Sequence, residues 1–146
     1  ELLYIKDSEF NTQCMKYKHV KIKPKVISVD IRWGDMDFKY SESDWNASSH
    51  GYDKKWSNNT QDGDKITVVN NSNVPVTASI AYSPNSNYEG ITGTILQSKN
   101  PAAEYKNNTT VIVGRSINAY LSLKGNLSSS TEPKTTIGKV TVTISE

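Results

Sequence analysis

Cysteine and histidine are scarce in this sequence, and their scarcity excludes several kinds of chemistry. Cys14 is the single cysteine, so no disulfide can form within the chain and the core must be stable without one. His19 and His50 are too far apart for a helical zinc motif, and Cys14 lacks partners at the spacing of a structural zinc site. No run approaches the ~18 apolar residues that a membrane-spanning helix needs, so we predict no transmembrane segment in this chain.

Catalytic motifs are missing as well. The sequence contains no glycine-rich phosphate loop and no nucleophile elbow. A pair of carboxylates from the acidic segment, with Asp35 and Asp37 as candidates, is the arrangement that would hydrolyse a glycosidic bond. We therefore predict that the protein is not an enzyme, and we keep a small glycan-active hydrolase as a third hypothesis.

Neither sign of charge dominates, because the formal net charge is only +2. Phosphate binding needs lysine and arginine concentrated on one face, so we predict no nucleic-acid partner. Residues 1–25 nevertheless carry six lysines against three acidic residues, and residues 26–64 carry eight acidic residues against four basic ones. Such blocks are typical of solvated strand faces and turns. The alternatives are a basic tail that binds an acidic polymer and an acidic loop that holds calcium.

Apolar residues are few, at 35% of a chain of 146 residues, a length that corresponds to one domain. A thin core between two packed sheets suits this composition better than a thick α/β core. We predict an N-terminal basic arm or edge strand over residues 1–25 and a sandwich over residues 26–146. Because the chain begins with Glu1 instead of methionine, we expect that an upstream segment has been removed.

Two runs of alternating apolar residues organise the sequence. The first has its apolar residues at odd positions, namely Ile27, Val29, Ile31 and Trp33. The second has them at even positions, namely Met36, Phe38 and Tyr40. Alternation with a period of two is typical of a strand with one buried face, and the change of phase predicts a bulge or sharp bend at Gly34–Asp35. This bend would place Trp33 in the core beside Phe38 or Tyr40.

Further strand-like runs follow at residues 65–70, 74–83, 91–96, 111–113, 117–123 and 137–144. The turn at residues 70–73, rich in asparagine and serine, predicts that the first two of these runs form a hairpin. No stretch has the 3.6-residue period of a helix. The spacing predicts an all-β fold, an immunoglobulin-like antiparallel β-sandwich of about seven to nine strands.

Several stretches together resemble a known group of modules. They are Trp33–Tyr40, Trp45, Trp56, Ile66–Val68 with the following Asn70–Val76, and Ile137–Ile144. In these features residues 26–146 resemble immunoglobulin-like modules in surface and secreted proteins of Gram-positive, largely gut-dwelling bacteria. The resemblance implies a non-enzymatic module, secreted or at the cell surface, with a structural or adhesive role. It implies a cell-surface protein or glycan as partner, and it supplies no catalytic residue.

A polar segment, residues 41–63, is long for a simple connection and carries three large aromatic residues. Those rings either pin the segment onto the sandwich or form a platform on which a sugar stacks. The second alternative predicts a carbohydrate-binding module whose ligand-binding residues are Trp45, Tyr52, Trp56, Asp53 and Asn58. On the first alternative, we predict that Trp45 is largely buried and that Trp56 is the ring that is partly exposed.

A possible calcium site is the one cofactor site that the sequence suggests. Asp62 and Asp64 flank Gly63 and resemble a fragment of a carboxylate-rich calcium loop, although the distal glutamate of an EF-hand is missing. The same three residues are also an ordinary turn. Asp62 and Asp64 are therefore candidate calcium ligands, and we expect no other cofactor.

Overall fold

The computed structural model of the protein describes residues 24–128 and 131–146. The predicted N-terminal arm or edge strand, with Cys14 and His19, lies outside these ranges except for its last two residues. The described residues form ten strands and one short 3-10 helix at Ser86–Tyr88. The strands are β1 Val29–Trp33, β2 Phe38–Asn46, β3 Gly51–Asn58, β4 Lys65–Asn70, β5 Val76–Pro84, β6 Thr92–Lys99, β7 Ala102–Glu104, β8 Thr109–Val111, β9 Ser116–Lys124 and β10 Gly138–Ser145.

The strands form three antiparallel sheets. A five-stranded sheet has the order β1-β4-β9-β6-β7, a three-stranded sheet has the order β10-β5-β8, and β2 pairs with β3 alone. The predicted all-β fold, an antiparallel β-sandwich, is confirmed. The described strands number ten instead of seven to nine, because the segment predicted as a long loop forms the hairpin β2–β3 and because β7 and β8 are only three residues each.

The core lies between the five-stranded and three-stranded sheets. Alternate residues of β4, β5 and β9 are buried, as the period of two requires when one face of a strand meets the other sheet. The buried apolar side chains of these three strands are Ile66, Val68, Val76, Ala78, Ile80, Ala119, Leu121 and Leu123. Ile91 and Ile95 join them from the segment that contains β6, so both sheets contribute to one core.

The predicted hairpin between residues 65–70 and 74–83 is wrong, because β4 and β5 belong to different sheets. Asn70 is the reason. Its side chain is fully buried, and Nδ2 donates to the carbonyl oxygens of Val74 at 3.0 Å and of Val111 at 2.8 Å, while Oδ1 accepts from the backbone N–H of Ser72 at 2.9 Å. These bonds turn the chain out of one sheet and into the other, so the turn is a crossover between the layers.

The predicted bend after β1 is present. The backbone N–H of Gly34 donates to the carbonyl oxygen of Lys65 at 2.8 Å, and that of Met36 donates to Gly63 at 2.9 Å. Met36 is the residue with positive φ, at 52°, so the left-handed conformation falls two residues after the glycine. Gly34 is required for a different reason, since a Cβ on it would stand 2.3 Å from the carbonyl oxygen of Gly63.

Trp33 does not lie in the core, and that prediction is wrong. Its side chain is 46% exposed. Trp33 pairs with Ile66 and therefore faces the core side of the sheet, but β1 is an edge strand and the opposing sheet has only three strands. The smaller sheet does not extend far enough to cover the indole ring.

The exposure of Trp33 changes the effect expected from removing it. A buried aromatic replaced by alanine costs about 3–5 kcal/mol, whereas Trp33→Ala should lower the free energy of unfolding by about 1–2 kcal/mol, since roughly half of the ring is already in water. Urea unfolding followed by circular dichroism measures this difference. A loss above about 3 kcal/mol would show that the ring is buried in solution.

Candidate functional site

The hairpin β2–β3 carries its large side chains on one face. The cross-strand pairs on this face are Tyr40 with Trp56, Glu42 with Lys54, and Trp45 with Tyr52. Lys54 Nζ lies 4.0 Å from the Glu42 carboxylate and 6.0 Å from the centroid of the Tyr40 ring. The hairpin therefore presents two aromatic pairs separated by one pair of opposite charges.

A β-bulge places Trp45 on that face. The pairing advances by three residues on β2, from Glu42 to Trp45, while it advances by two on β3, from Lys54 to Tyr52. In a regular strand, residues three apart point to opposite faces, and the extra residue of a bulge restores them to the same face. Without the bulge, Trp45 and Tyr52 would not be partners.

The aromatic pair nearer the sandwich anchors the hairpin. The rings of Tyr40 and Trp56 are 5.0 Å apart between centroids and inclined at 39°. Trp56 is half-buried against the core, and its Nε1 donates to the carbonyl oxygen of Gly125 at 2.9 Å. The Tyr40 hydroxyl group lies 3.1 Å from Oδ1 of Asn126 and donates to it. Packing and two hydrogen bonds thus hold this half of the hairpin to the segment that follows β9.

The aromatic pair at the other half of the hairpin is exposed. Trp45 is 57% and Tyr52 55% exposed, and their rings meet edge to face with centroids 5.3 Å apart and an angle of 76°. The prediction that Trp45 is largely buried is wrong. Each ring contacts the other across the hairpin and leaves more than half of its surface in water. We call this pair of residues the aromatic tip.

The structure separates the remaining predicted ligand residues. Asp53 follows Tyr52 and therefore points to the opposite face of the hairpin, where it accepts a hydrogen bond from Asn46 Nδ2 at 3.0 Å. Asn58 pairs with Phe38 at the end of the hairpin nearest the sandwich, close to Trp56. Of the five predicted residues, the structure brings only Trp45 and Tyr52 together at an exposed surface.

A cleft of about 760 Å³ lies between the hairpin and the sandwich. Its walls include Trp33, Phe38 and Trp56, and its floor includes Leu121 of β9 and Tyr82 of β5. The Tyr82 hydroxyl group is buried without a hydrogen-bond partner among the described residues, and burial raises the pKa of that hydroxyl group. Sequence reasoning missed this cleft, although the half-buried aromatic residues of β2 were the signal that could have indicated it.

Asp35 and Asp37, the two carboxylates that are candidates for hydrolysis, form hydrogen bonds that stabilise a turn. Asp35 accepts hydrogen bonds from the Thr60 hydroxyl group and from the backbone N–H of Asp37. Asp37 in turn accepts from Nδ2 of Asn59 at 2.9 Å. The hydrogen bond from Thr60, followed by that from Asp37, lowers the pKa of Asp35 below its usual value. Both carboxylates therefore stabilise the chain where it enters and leaves the hairpin.

Removing the hydroxyl group of Thr60 should raise the pKa of Asp35 toward 3.8, the value of a free aspartate. In the wild-type protein the folded-state pKa is the lower one, so this carboxylate stabilises the fold above the unfolded-state pKa and loses that effect as the pH falls through the folded-state pKa. The stability difference between wild type and Thr60→Val should therefore shrink on acidification. NMR titration of the carboxyl carbon measures the pKa. Thr60→Ser keeps the hydroxyl group and should keep the low pKa, and an unchanged pKa in Thr60→Val would contradict the assignment.

The candidate calcium ligands occupy a turn beside β4. Asp62 is exposed with φ of 57°, and its carbonyl oxygen accepts from the backbone N–H of Lys65 at 3.0 Å. Asp64 is buried, and its two carboxylate oxygens lie 2.9 and 3.1 Å from Lys99 Nζ. The described residues contain no group of three or more histidine, cysteine, aspartate or glutamate side chains placed to hold a metal ion. A calcium ion at Asp64 would have to displace the Lys99 ammonium group.

No family model, curated protein or solved structure matches the chain. In the part of the chain that the structure describes, no helix is long and apolar enough to cross a membrane. The fold and the site therefore define the class on their own: an antiparallel β-sandwich from which a hairpin carries two exposed aromatic rings.

Proposed function

We propose that this protein is a non-enzymatic, extracellular or cell-surface recognition module that binds a partner through its aromatic tip and has an adhesive role. The exposure of Trp45 and Tyr52 is the observation that supports the proposal. Tyrosine and tryptophan are enriched at the centres of binding interfaces, because their rings supply a large contact area with few rotatable bonds. A hairpin anchored at one half and exposed at the other presents those rings without disturbing the core.

The strand order supports an immunoglobulin-like assignment within this proposal. If β2–β3 and β7–β8 are additions, the remaining strands in chain order correspond to strands A to F of a constant-type immunoglobulin domain. The sheet order β1-β4-β9-β6 then reads A-B-E-D, and the neighbours β10 and β5 read F and C. The same pairs occur in the immunoglobulin arrangement. Assignment to surface proteins of Gram-positive bacteria rests on the sequence resemblance alone.

The partner that suits the tip best is a cell-surface protein. A sugar ring stacks on a flat aromatic face, whereas Trp45 and Tyr52 meet at 76° and form a ridge with two differently oriented faces. A carbohydrate-binding module is the second candidate, because the Trp45 and Tyr52 rings are both exposed. A glycan ligand would stack on one of the two rings, whereas Asn46 and Asp53 lie on the opposite face of the hairpin.

Replacing the tip should separate binding from stability. Trp45→Ala and Tyr52→Ala should each weaken binding to cells by about tenfold or more, since aromatic residues at interface centres contribute about 2 kcal/mol or more. The free energy of unfolding should change by less than about 1 kcal/mol, because both rings are mostly in water already. Flow cytometry with labelled protein measures binding, and urea unfolding measures stability.

Trp33→Ala is the matched control, since it removes an indole of similar exposure from outside the hairpin. It should leave cell binding unchanged. Protease treatment of the cells should abolish binding to a protein partner, and glycosidase treatment together with a glycan array should identify a carbohydrate partner. Binding that survives both tip substitutions would remove the assignment of the tip as the contact surface.

A further inference from the structure

Strand β10 has one unpaired edge in the described part of the structure. β10 pairs with β5 on one side, and no strand of residues 24–128 or 131–146 pairs with its other side. The backbone N–H of Ile80 bonds to Asn107, on the side of β5 away from β10. Ile80 is opposite Val142, so this pair exchanges no backbone hydrogen bonds and the N–H and C=O of Val142 point to the free edge. The same holds for Val140 and Ile144, which lie two residues before and two residues after Val142 in the strand.

This edge differs from the other edges of the two sheets. β7 and β8 are only three residues long, and β1 carries the exposed charged residues Asp30 and Arg32. Proteins protect edge strands by shortness, charge, proline or bulges, because an unprotected edge pairs with another strand. β10 is eight residues long, has neither proline nor bulge, and carries one charge, on Lys139. In these properties β10 resembles an internal strand, which has a neighbour on each side.

The side chains of β10 also leave apolar surface uncovered. Val140, Val142 and Ile144 face the core clusters but are only partly buried, whereas Ile80 and Ala78, the β5 partners of Val142 and Ile144, are buried. The difference follows from position, because among the described strands β5 has a neighbour on both sides and β10 has a neighbour on one side only. A strand added beside β10 would cover these three side chains and pair their backbone groups.

Residue 24, the first residue that the structure describes, lies next to this edge. Asn73 fixes the entry point, since its Nδ2 donates to the carbonyl oxygen of Pro24 at 2.9 Å and its Oδ1 accepts from the N–H of Val26 at 2.9 Å. Lys25 forms an ion pair with Glu146, the residue that follows the last residue of β10. Residue 24 therefore lies beside the end of β10, and 23 residues of chain precede it.

We propose that the free edge of β10 is the binding site for residues 16–23 of the same molecule, added as a strand parallel to β10. The eight residues that precede Pro24 equal β10 in length, and they meet its final residues if both run in the same direction. They include Val20 and Ile22 for the uncovered apolar surface. Their four lysines would supply the charged protection that β10 lacks. This inference is independent of the aromatic tip.

Hydrogen exchange of the intact protein tests the proposal. The amides of Val140, Val142 and Ile144 should be protected in the full chain, although β5 does not bond to them. Adjacent residues of a strand bond to opposite sides, so one of the two substitutions Val20→Pro and Lys21→Pro must remove a bond to β10. In that variant the three amides should exchange about tenfold faster or more, while Thr141 and Thr143, which bond to β5, stay protected.

Ser8→Pro, in the preceding part of the chain, is the control and should leave all these rates unchanged. The proposal is overturned if the three amides exchange as fast as exposed loop amides in the wild-type protein. It is also overturned if both proline variants keep the wild-type rates. Protection that rises with protein concentration, together with a dimer in sedimentation velocity, would assign the edge to a second copy of the chain instead.

Discussion

Replacing Asn70 with alanine is expected to lower the free energy of unfolding by about 3–5 kcal/mol. The side chain is fully buried and makes three hydrogen bonds, to the carbonyl oxygens of Val74 and Val111 and from the N–H of Ser72. Alanine leaves these three backbone groups without their partner, and an unsatisfied buried polar group costs about 1–3 kcal/mol. Chemical unfolding at neutral pH, with equal slopes for both proteins, measures the loss.

Asn71→Ala provides the comparison at the neighbouring position. Asn71 is exposed and donates to the Asp30 carboxylate at 3.0 Å, so its removal should cost less than about 1 kcal/mol. Asn70→Asp should be at least as harmful as Asn70→Ala at neutral pH, because a carboxylate cannot donate to the two carbonyl oxygens. Equal stabilities of Asn70→Ala and Asn71→Ala would mean that the crossover does not depend on Asn70.

Replacing Gly34 with alanine should cost about 2–3 kcal/mol. An added Cβ would lie 2.3 Å from the carbonyl oxygen of Gly63 and 2.5 Å from that of Asp62. Both obstacles are backbone atoms, so the clash is relieved only when the bend after β1 separates from the turn before β4. That movement also weakens the hydrogen bonds from Gly34 to Lys65 and from Met36 to Gly63.

Gly51→Ala is the matched glycine control. It stands at the start of β3, where an added Cβ has no atom within 4 Å. The free energy of unfolding should therefore change by no more than about 0.5 kcal/mol. Thermal unfolding of both variants against the wild-type protein compares them directly. If Gly34→Ala is as stable as Gly51→Ala, the close contact between the two turns does not exist in solution.

Strands buried on one face could be predicted from the sequence. β4, β5, β9 and β10 each carry alternating apolar residues, and the structure has strands within a few residues of the predicted ranges. Alternation is a local property of the chain, so it can be recognised without knowledge of the partner strand. The all-β class and the two-layer core follow from these four elements.

The hairpin could not be predicted, because its signal is not local. Trp45 is an odd-numbered residue in a strand whose other large residues are even-numbered, and only the bulge places them on one face. The polar residues between them are typical of a loop when the pairing is unknown. The prediction for Trp33 is wrong for a related reason, since the exposure of its side chain depends on the width of the opposite sheet. Pairing and sheet width are properties of the whole fold.

The division of the hairpin into an anchored half and an exposed half determines which of its residues can be substituted without loss of stability. Trp56 and Tyr40 are attached to the sandwich by packing and hydrogen bonds, so substitutions there should lower the free energy of unfolding. Trp45 and Tyr52 contact mainly each other and water. Domains have only about 5–15 kcal/mol of net stability, and most substitutions reduce it. Substitutions at Trp45 and Tyr52 can therefore change the exposed surface of the hairpin while the protein keeps its net stability.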